Sequence, residues 1–267
     1  MSEFKVLMIG DIVGRPGRRV VEENLPRFVE ENGVDFCVAN VENASGGSGV
    51  TPRIAERLLQ CKIDAMTTGD HVFKKREIYT FLKSDHRMVR PANYPPQSHG
   101  KGSTIVESKS GVKVGILNLQ GRVFMAPVDC PFLMADKLIE ELRREADIIL
   151  VDFHAEATSE KIAMGWHLDG RATAVVGTHT HIQTADNTVL PGGTAYITDL
   201  GMTGPYNSVI GRATDRVLFK FLTNMPTRYD VGEGLEKMCG VLIQIDLERR
   251  KAKSIERVML NGDGGVD

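Results

Sequence analysis

Short apolar runs bounded by turn residues alternate with stretches of helical periodicity along this chain. Residues 4–9 form the first run, ended by Gly10 and Asp11, and predict a buried strand. From about 17 to 31, Val20, Val21, Leu25, Phe28 and Val29 recur at helical spacing, with Gly33 as the predicted stop. Residues 35–41 (DFCVANV) predict a second strand, running into a Gly/Ser-rich loop over 42–49. Thr51-Pro52 opens a helix to about 61, Pro52 suiting its first turn. Residues 63–67 predict a strand that leads into Thr68-Gly69-Asp70-His71, 74–82 a short helix, and 90–96 an irregular connection.

The pattern then changes. Residues 103–107 and 112–119 flank a Ser110-Gly111 turn and predict a hairpin. Residues 131–144 are an amphipathic helix. Residues 147–153 (DIILVDF) are a strong buried strand ending at His154. A helix is expected over 159–168, a strand over 172–176 ending in Gly177-Thr178-His179-Thr180-His181, and a strand over 195–198. A helix over about 212–222, closing strands over 240–246 and 252–259, and a frayed tail from about 261 complete the reading. Early strands alternate with helices and later ones form hairpins, without repeats or low-complexity linkers. This predicts mixed sheets in one α/β domain spanning 1–267.

Composition narrows the class. With 267 residues, 42% hydrophobic and 25% charged, the chain has ample core material, which excludes disordered, collagen-like and solenoid proteins. Its 33 basic and 35 acidic residues give a net charge of −2, without the basic excess of a general nucleic-acid-coating protein. The N-terminal apolar run is too short for a signal peptide, and no run approaches the roughly 20 residues of a membrane span. A cytoplasmic protein without a membrane partner is expected. Cys37, Cys61, Cys130 and Cys239 form no CxxC pair and are expected as free thiols, Cys37 as a buried small hydrophobe.

Five predicted strands end in residues able to ligate a metal: Asp11, Glu42-Asn43, Asp70-His71, His154, and His179 with His181. Each alone has an ordinary reading as a turn, a cap or a hydrogen-bonded core histidine. Together, at the carboxyl ends of strands where α/β folds bind ligands, they describe a metal centre. His179 and His181, two apart, point the same way if that segment is extended. His86, His99 and His167 lie outside the pattern and are expected to be surface or structural. Mixed oxygen and nitrogen donors without thiolate suit iron, manganese, zinc or nickel rather than a calcium cage. The set exceeds the needs of one four-coordinate zinc, whereas two metals sharing a carboxylate would use all of it. Such pairs clamp phosphate esters for hydrolysis.

These residues resemble the calcineurin-like metallophosphoesterase signature, and more closely the YmdB-type subfamily of bacterial metallophosphoesterases. The likeness is carried by Gly10-Asp11-Ile12-Val13-Gly14-Arg15, Asn40-Val41-Glu42-Asn43, residues 153–161 (FHAEATSEK), 177–186 (GTHTHIQTAD) and 198–205 (TDLGMTGP), and extends from about 4 to 260. It implies a four-layer αββα sandwich, two metal ions with iron or manganese ahead of zinc or magnesium, and hydrolysis of cyclic nucleotides, notably 2′,3′-cyclic ones. It also implies that one metal takes Asp11, Glu42, Asn43 and His181, and the other Glu42, Asp70, His154 and His179, with Glu42 bridging. The wider superfamily has a histidine two residues after the first Asp. Here Val13 stands there, and the subfamily's Asn43 serves instead.

His71 is the expected general acid, because a ribose alkoxide leaves poorly without a proton; metal ligation or structural support is its alternative role. Glu156, Thr158, Thr178 and Thr180 are candidates to orient the histidines. The 46–49 loop either approaches substrate or merely connects. The family's Gly-Asn-His motif reads Gly69-Asp70-His71 here, exchanging an amide donor for a third carboxylate. Two other readings stand beside the phosphodiesterase. One is a phosphomonoesterase of the same fold, with Arg15, Arg18 and Arg53 as candidate extra cationic contacts. The other is a weakly active nucleotide-binding regulatory protein. A homo-oligomer is compatible with the sequence.

Overall fold

The strand rows of this protein are apolar at their beginnings and polar at their carboxyl ends, and that gradient builds the site. The computed structural model describes residues 3–262. The elements run β1 (Glu3–Ile9), β2 (Asp11–Ile12), α1 (Gly14–Asn32), β3 (Phe36–Asn40), α2 (Pro52–Gln60), β4 (Ala65–Thr67), α3 (Ile78–Ser84), β5 (Ser103–Glu107), β6 (Lys113–Gln120) and α4 (Pro131–Leu142). They continue as β7 (Ile148–His154), α5 (Thr158–His167), β8 (Ala174–Thr178), β9 (Thr188–Val189), β10 (Ala195–Ile197), β11 (Met202–Pro205), α6 (Thr214–Thr223), β12 (Glu236–Asp246) and β13 (Lys251–Asn261).

Two mixed sheets result. The seven-stranded sheet has the order β2-β11-β12-β1-β3-β4, with β13 also pairing β12; the six-stranded sheet has the order β5-β6-β7-β8-β10-β9. Parallel pairs β1–β3, β3–β4, β6–β7 and β7–β8 form the middle of each sheet. Their period-two alternation divides the core. Val6 and Met8, Phe36 and Val38, and Ile148 and Leu150 meet in one cluster drawn from both sheets. The alternate residues Leu7, Ile9, Cys37 and Ala39 pack with Val20, Val21 and Leu25 of α1 and Leu58 of α2. Ile149, Val151 and Phe153 pack with Ile139 of α4 and Met164 of α5. Strands covered on both faces need continuous apolar sequence, which is why these runs lack alternation.

The expected hairpin and helices are present with shifted ends. α1 begins at Gly14 rather than about 17, because Gly17 packs too closely against Thr203 for any side chain and so stays within the helix. It stops at Gly33, whose φ of 62° is the left-handed cap. The helix expected over 74–82 forms only from Ile78, residues 71–77 being turns. Strand β13 continues through Asn261, later than the expected start of the tail; residues 263–267 lie outside the described residues. All four cysteines are free. No helix among the described residues is long and apolar enough to cross a membrane.

Candidate metal centre

The rows that begin Phe36-Val38 and Ile148-Leu150 end in Asn40 and in Asp152 and His154, side chains of the same inter-sheet face. The turns after β1, β3, β4 and β8 add Asp11, Glu42 and Asn43, Asp70 and His71, and His179 and His181. All eight sequence-expected site residues converge. Glu42, Asp70, His154 and His179 each place a donor atom within 4.8 Å of one another, a grouping able to hold a metal ion. Glycine at 69 is required by this convergence, since a Cβ there would collide with the His154 ring and Glu42 Oε2.

Proton bookkeeping shows which atoms face the centre. Asp152 is fully buried; its Oδ1 accepts the Thr178 hydroxyl at 2.7 Å, and its Oδ2 accepts Asn40 Nδ2 at 3.0 Å and the Thr67 hydroxyl. Burial raises the Asp152 carboxyl to about 6, so at neutral pH it is an acceptor. With its proton directed at Asp152, Thr178 Oγ1 accepts from His154 Nδ1 at 2.9 Å, leaving the His154 Nε2 lone pair free. On His179, Nε2 lies 3.2 Å from Glu156 Oε2, leaving Nδ1 free. The two free nitrogens lie 3.0 Å apart, with Glu42 Oε1 at 3.3 Å and Asp70 Oδ1 at 3.1 Å from His154 Nε2. Facing lone pairs beside two carboxylates are satisfied only by a positive charge between them. Accordingly, although burial opposes it, Glu42 and Asp70 raise the His154 basicity well above the ordinary imidazole value. Burial and His154 lower that of His179.

A second electron-rich lobe adjoins the first. His181 Nδ1 faces the Ile210 carbonyl at 2.9 Å, which fixes its proton there and frees Nε2. Asp11 is fully buried, and its Oδ1 has no hydrogen-bond partner while lying 3.7 Å from His181 Nε2. Despite burial, His181 and His154 hold the Asp11 carboxyl well below the usual range. Asn43 Nδ2 lies 3.3 Å from His181 Nε2 and donates to Glu42 Oε1 at 2.9 Å. Glu42 therefore reaches both lobes. An orphaned buried carboxylate oxygen beside a free imidazole nitrogen, and nitrogen and oxygen donors without thiolate, fit a metal pair of the expected kind.

His71 is 27% exposed in its side chain. Its Nδ1 donates to Asn43 Oδ1 at 2.7 Å, its backbone N–H donates to Glu42 Oε2 at 3.0 Å, and its Nε2 lies 3.8 Å from Asp70 Oδ2. Other expectations need correction. His179 and His181 are not on an extended segment: their φ values are 99° and 66°, and this left-handed turn sends one imidazole to each lobe. Thr180 binds Asp199 rather than a histidine, and Thr158 opens α5. The 46–49 loop is tied down by Ser45 N–H to the Gly49 carbonyl at 2.8 Å and by Arg212 to the Gly47 carbonyl. His167 pairs with Asp136 and His99 stacks on Tyr79, away from the centre.

Sequence reasoning missed Asp152, Lys161 and Asp199 as supports. An acid inside the apolar run DIILVDF was the available signal for Asp152. Lys161 Nζ lies 2.7 Å from Asp199 Oδ2, both side chains at most 1% exposed. Asp199 also accepts Thr180 N–H and Oγ1–H at 3.1 and 2.7 Å, so the pair anchors the strained turn between the two histidines. Lys161→Met leaves a buried charge unpaired and is expected to cost about 3–5 kcal/mol in denaturant unfolding. A loss below about 1 kcal/mol, the range of an exposed pair, would contradict that anchoring role.

Residues 7–258 match the family model described as YmdB-like protein. A Bacillus subtilis 2′,3′-cyclic-nucleotide 2′-phosphodiesterase is 49% identical over 260 residues, covering 97% of this chain and 98% of that protein. Among solved structures, a hypothetical protein of Thermus thermophilus aligns with a TM-score of 0.89 at 40% identity, covering 97% of this chain and 99% of that one. A phosphatase of Mycoplasma pneumoniae aligns with a TM-score of 0.91 at 32% identity, covering 98% and 95%. Motifs, site geometry and matches across nearly the whole chain agree: this protein belongs to the YmdB-like family.

Proposed function

We propose that the chain is a phosphodiesterase that opens 2′,3′-cyclic nucleotides at a dinuclear metal centre, on a single domain of four αββα layers. The observation that carries this reading is the pair of adjoining electron-rich lobes joined by Glu42. Asp11, Asn43 and His181 would hold one ion and Asp70, His154 and His179 the other, with Glu42 serving both, iron or manganese being the expected metals. When bound, such a pair supplies an acidified water and positive charge for the phosphate oxygens.

The protein's own groups do the remaining work. Asn43 orients His71 through Nδ1, so the opposite nitrogen, Nε2, is the atom that delivers a proton to the leaving ribose oxygen. Asp152 and Glu156 fix the tautomers of His154 and His179. A diester substrate is favoured over a monoester because the candidate arginines are engaged elsewhere. Arg18 donates to the Ala44 carbonyl, and with Arg15 it lines a cavity beside Gly46 and Val231 that none of the proposed ligands line. The test is turnover of 2′,3′-cyclic nucleotides, bis-nitrophenyl phosphate and nitrophenyl phosphate, before and after chelation and metal re-addition. Metal-dependent cleavage of the two diesters supports the reading. Preference for the monoester, or nucleotide binding without turnover, would replace it with the phosphatase or the regulator.

Asp70 tunes the site. With Asp11 and Glu42 it makes three carboxylates, one more than an amide at 70 would leave, so the centre is less positive toward phosphate. Asp70→Asn is expected to weaken metal retention and to raise turnover per bound metal pair on diesters. Turnover normalised to metal content reads this directly, and an Asn variant no faster than the parent would make Asp70 a neutral exchange.

A further inference from the structure

Helix α6 turns its apolar side outward. Leu218, Phe221 and Leu222 share one helical stripe and are 50%, 80% and 83% exposed, while Val217 alone among the residues of α6 is buried. Met225, Tyr229 and Leu235, at 50%, 43% and 55%, extend the face past the left-handed cap at Asn224. At roughly 100 Å² or more for each large side chain, the six present on the order of 700 Å² of apolar surface. The largest patch on a typical monomer is about 300–600 Å², and a standard interface takes about 800 Å² from each partner.

Charge selects the occupant. Asp215, Arg216, Lys220, Arg228 and Asp230 border the face with both signs, and Asp230 lies 3.4 Å from Arg228 and 3.8 Å from Arg216. An anionic membrane or a nucleic acid calls for a basic rim. A rim of mixed sign suits a self-complementary contact, in which each copy offers both charges. We propose that this face joins two copies of the chain about a twofold axis, α6 packing on α6 of the second copy with Phe221 and Leu222 at the centre.

The contact also reaches the metal centre. The face begins directly after Ile210–Arg212, where the Ile210 carbonyl accepts from His181 Nδ1 and the Arg212 guanidinium donates to the Gly47 carbonyl. A second copy seated on α6 braces this segment and with it the orientation of His181.

Sedimentation velocity from low to tens of micromolar tests the proposal, with the Phe221→Ser, Leu222→Ser double variant beside the parent. The parent is expected to sediment at no less than twice its chain mass of 29.4 kDa. The variant should show at most half the parent's mass with an unchanged unfolding midpoint, since both side chains are already in solvent. Amides of residues 206–213 should exchange hydrogen several-fold faster in the variant. A parent that stays at chain mass, a variant that associates equally well, or a monomeric parent that binds anionic vesicles would overturn the contact. Equal exchange in a dissociated variant would overturn the bracing of His181.

Discussion

Glu42→Gln is expected to reduce bound metal to one ion or fewer per chain and to lower turnover of 2′,3′-cyclic AMP by about 10³-fold or more, close to 4 kcal/mol of transition-state stabilisation. Glu42 is 1% exposed, and its oxygens meet Asn43 Nδ2 at 2.9 Å, the His71 N–H at 3.0 Å and His154 Nε2 at 3.3 Å. An amide has the same shape but carries no charge, and its NH₂ must face either the Asn43 NH₂ or the His71 N–H. The change strikes both lobes at once. Elemental analysis after gel filtration, with turnover on the same sample, provides the check. Two retained ions with activity within tenfold of the parent would show that Glu42 is not shared.

The second large effect separates substrates. His71→Ala is expected to slow natural cyclic nucleotides by about 10²–10⁴-fold, and bis-nitrophenyl phosphate by less than about tenfold. A nitrophenolate leaves without help, whereas a ribose alkoxide needs the proton. His71 contacts the two lobes only through Asn43 Oδ1 and the backbone N–H to Glu42, so metal content should be nearly unchanged. Equal loss on both substrates, or loss of metal, would assign His71 to ligation or positioning.

The sequence disclosed the strand-end residues because β1, β3, β4, β7 and β8 are buried on both faces, which makes apolar runs with abrupt polar ends. What it did not disclose depends on contacts across long separations. Strand β11 lies within the motif residues 198–205, where glycine and proline suggest a loop, yet it pairs with β2 at Asp11 and with β12 at Glu236. The direction of His179 and His181 depends on left-handed backbone that a histidine does not announce. The relay from Asp152 through Thr178 to His154 spans two sheets through Asn40 and Thr67, so no local spacing carries it. The roles of Lys161 and Asp199 are equally non-local, 38 residues apart in the chain.

The central claim is that two ions share Glu42, and anomalous scattering from crystals of the manganese-loaded protein tests it most directly. Two peaks are expected, one among Asp70, His154 and His179 and one among Asp11, Asn43 and His181, with Glu42 in contact with both. A single peak at full occupancy, or two peaks with Glu42 turned away from either, would contradict the account.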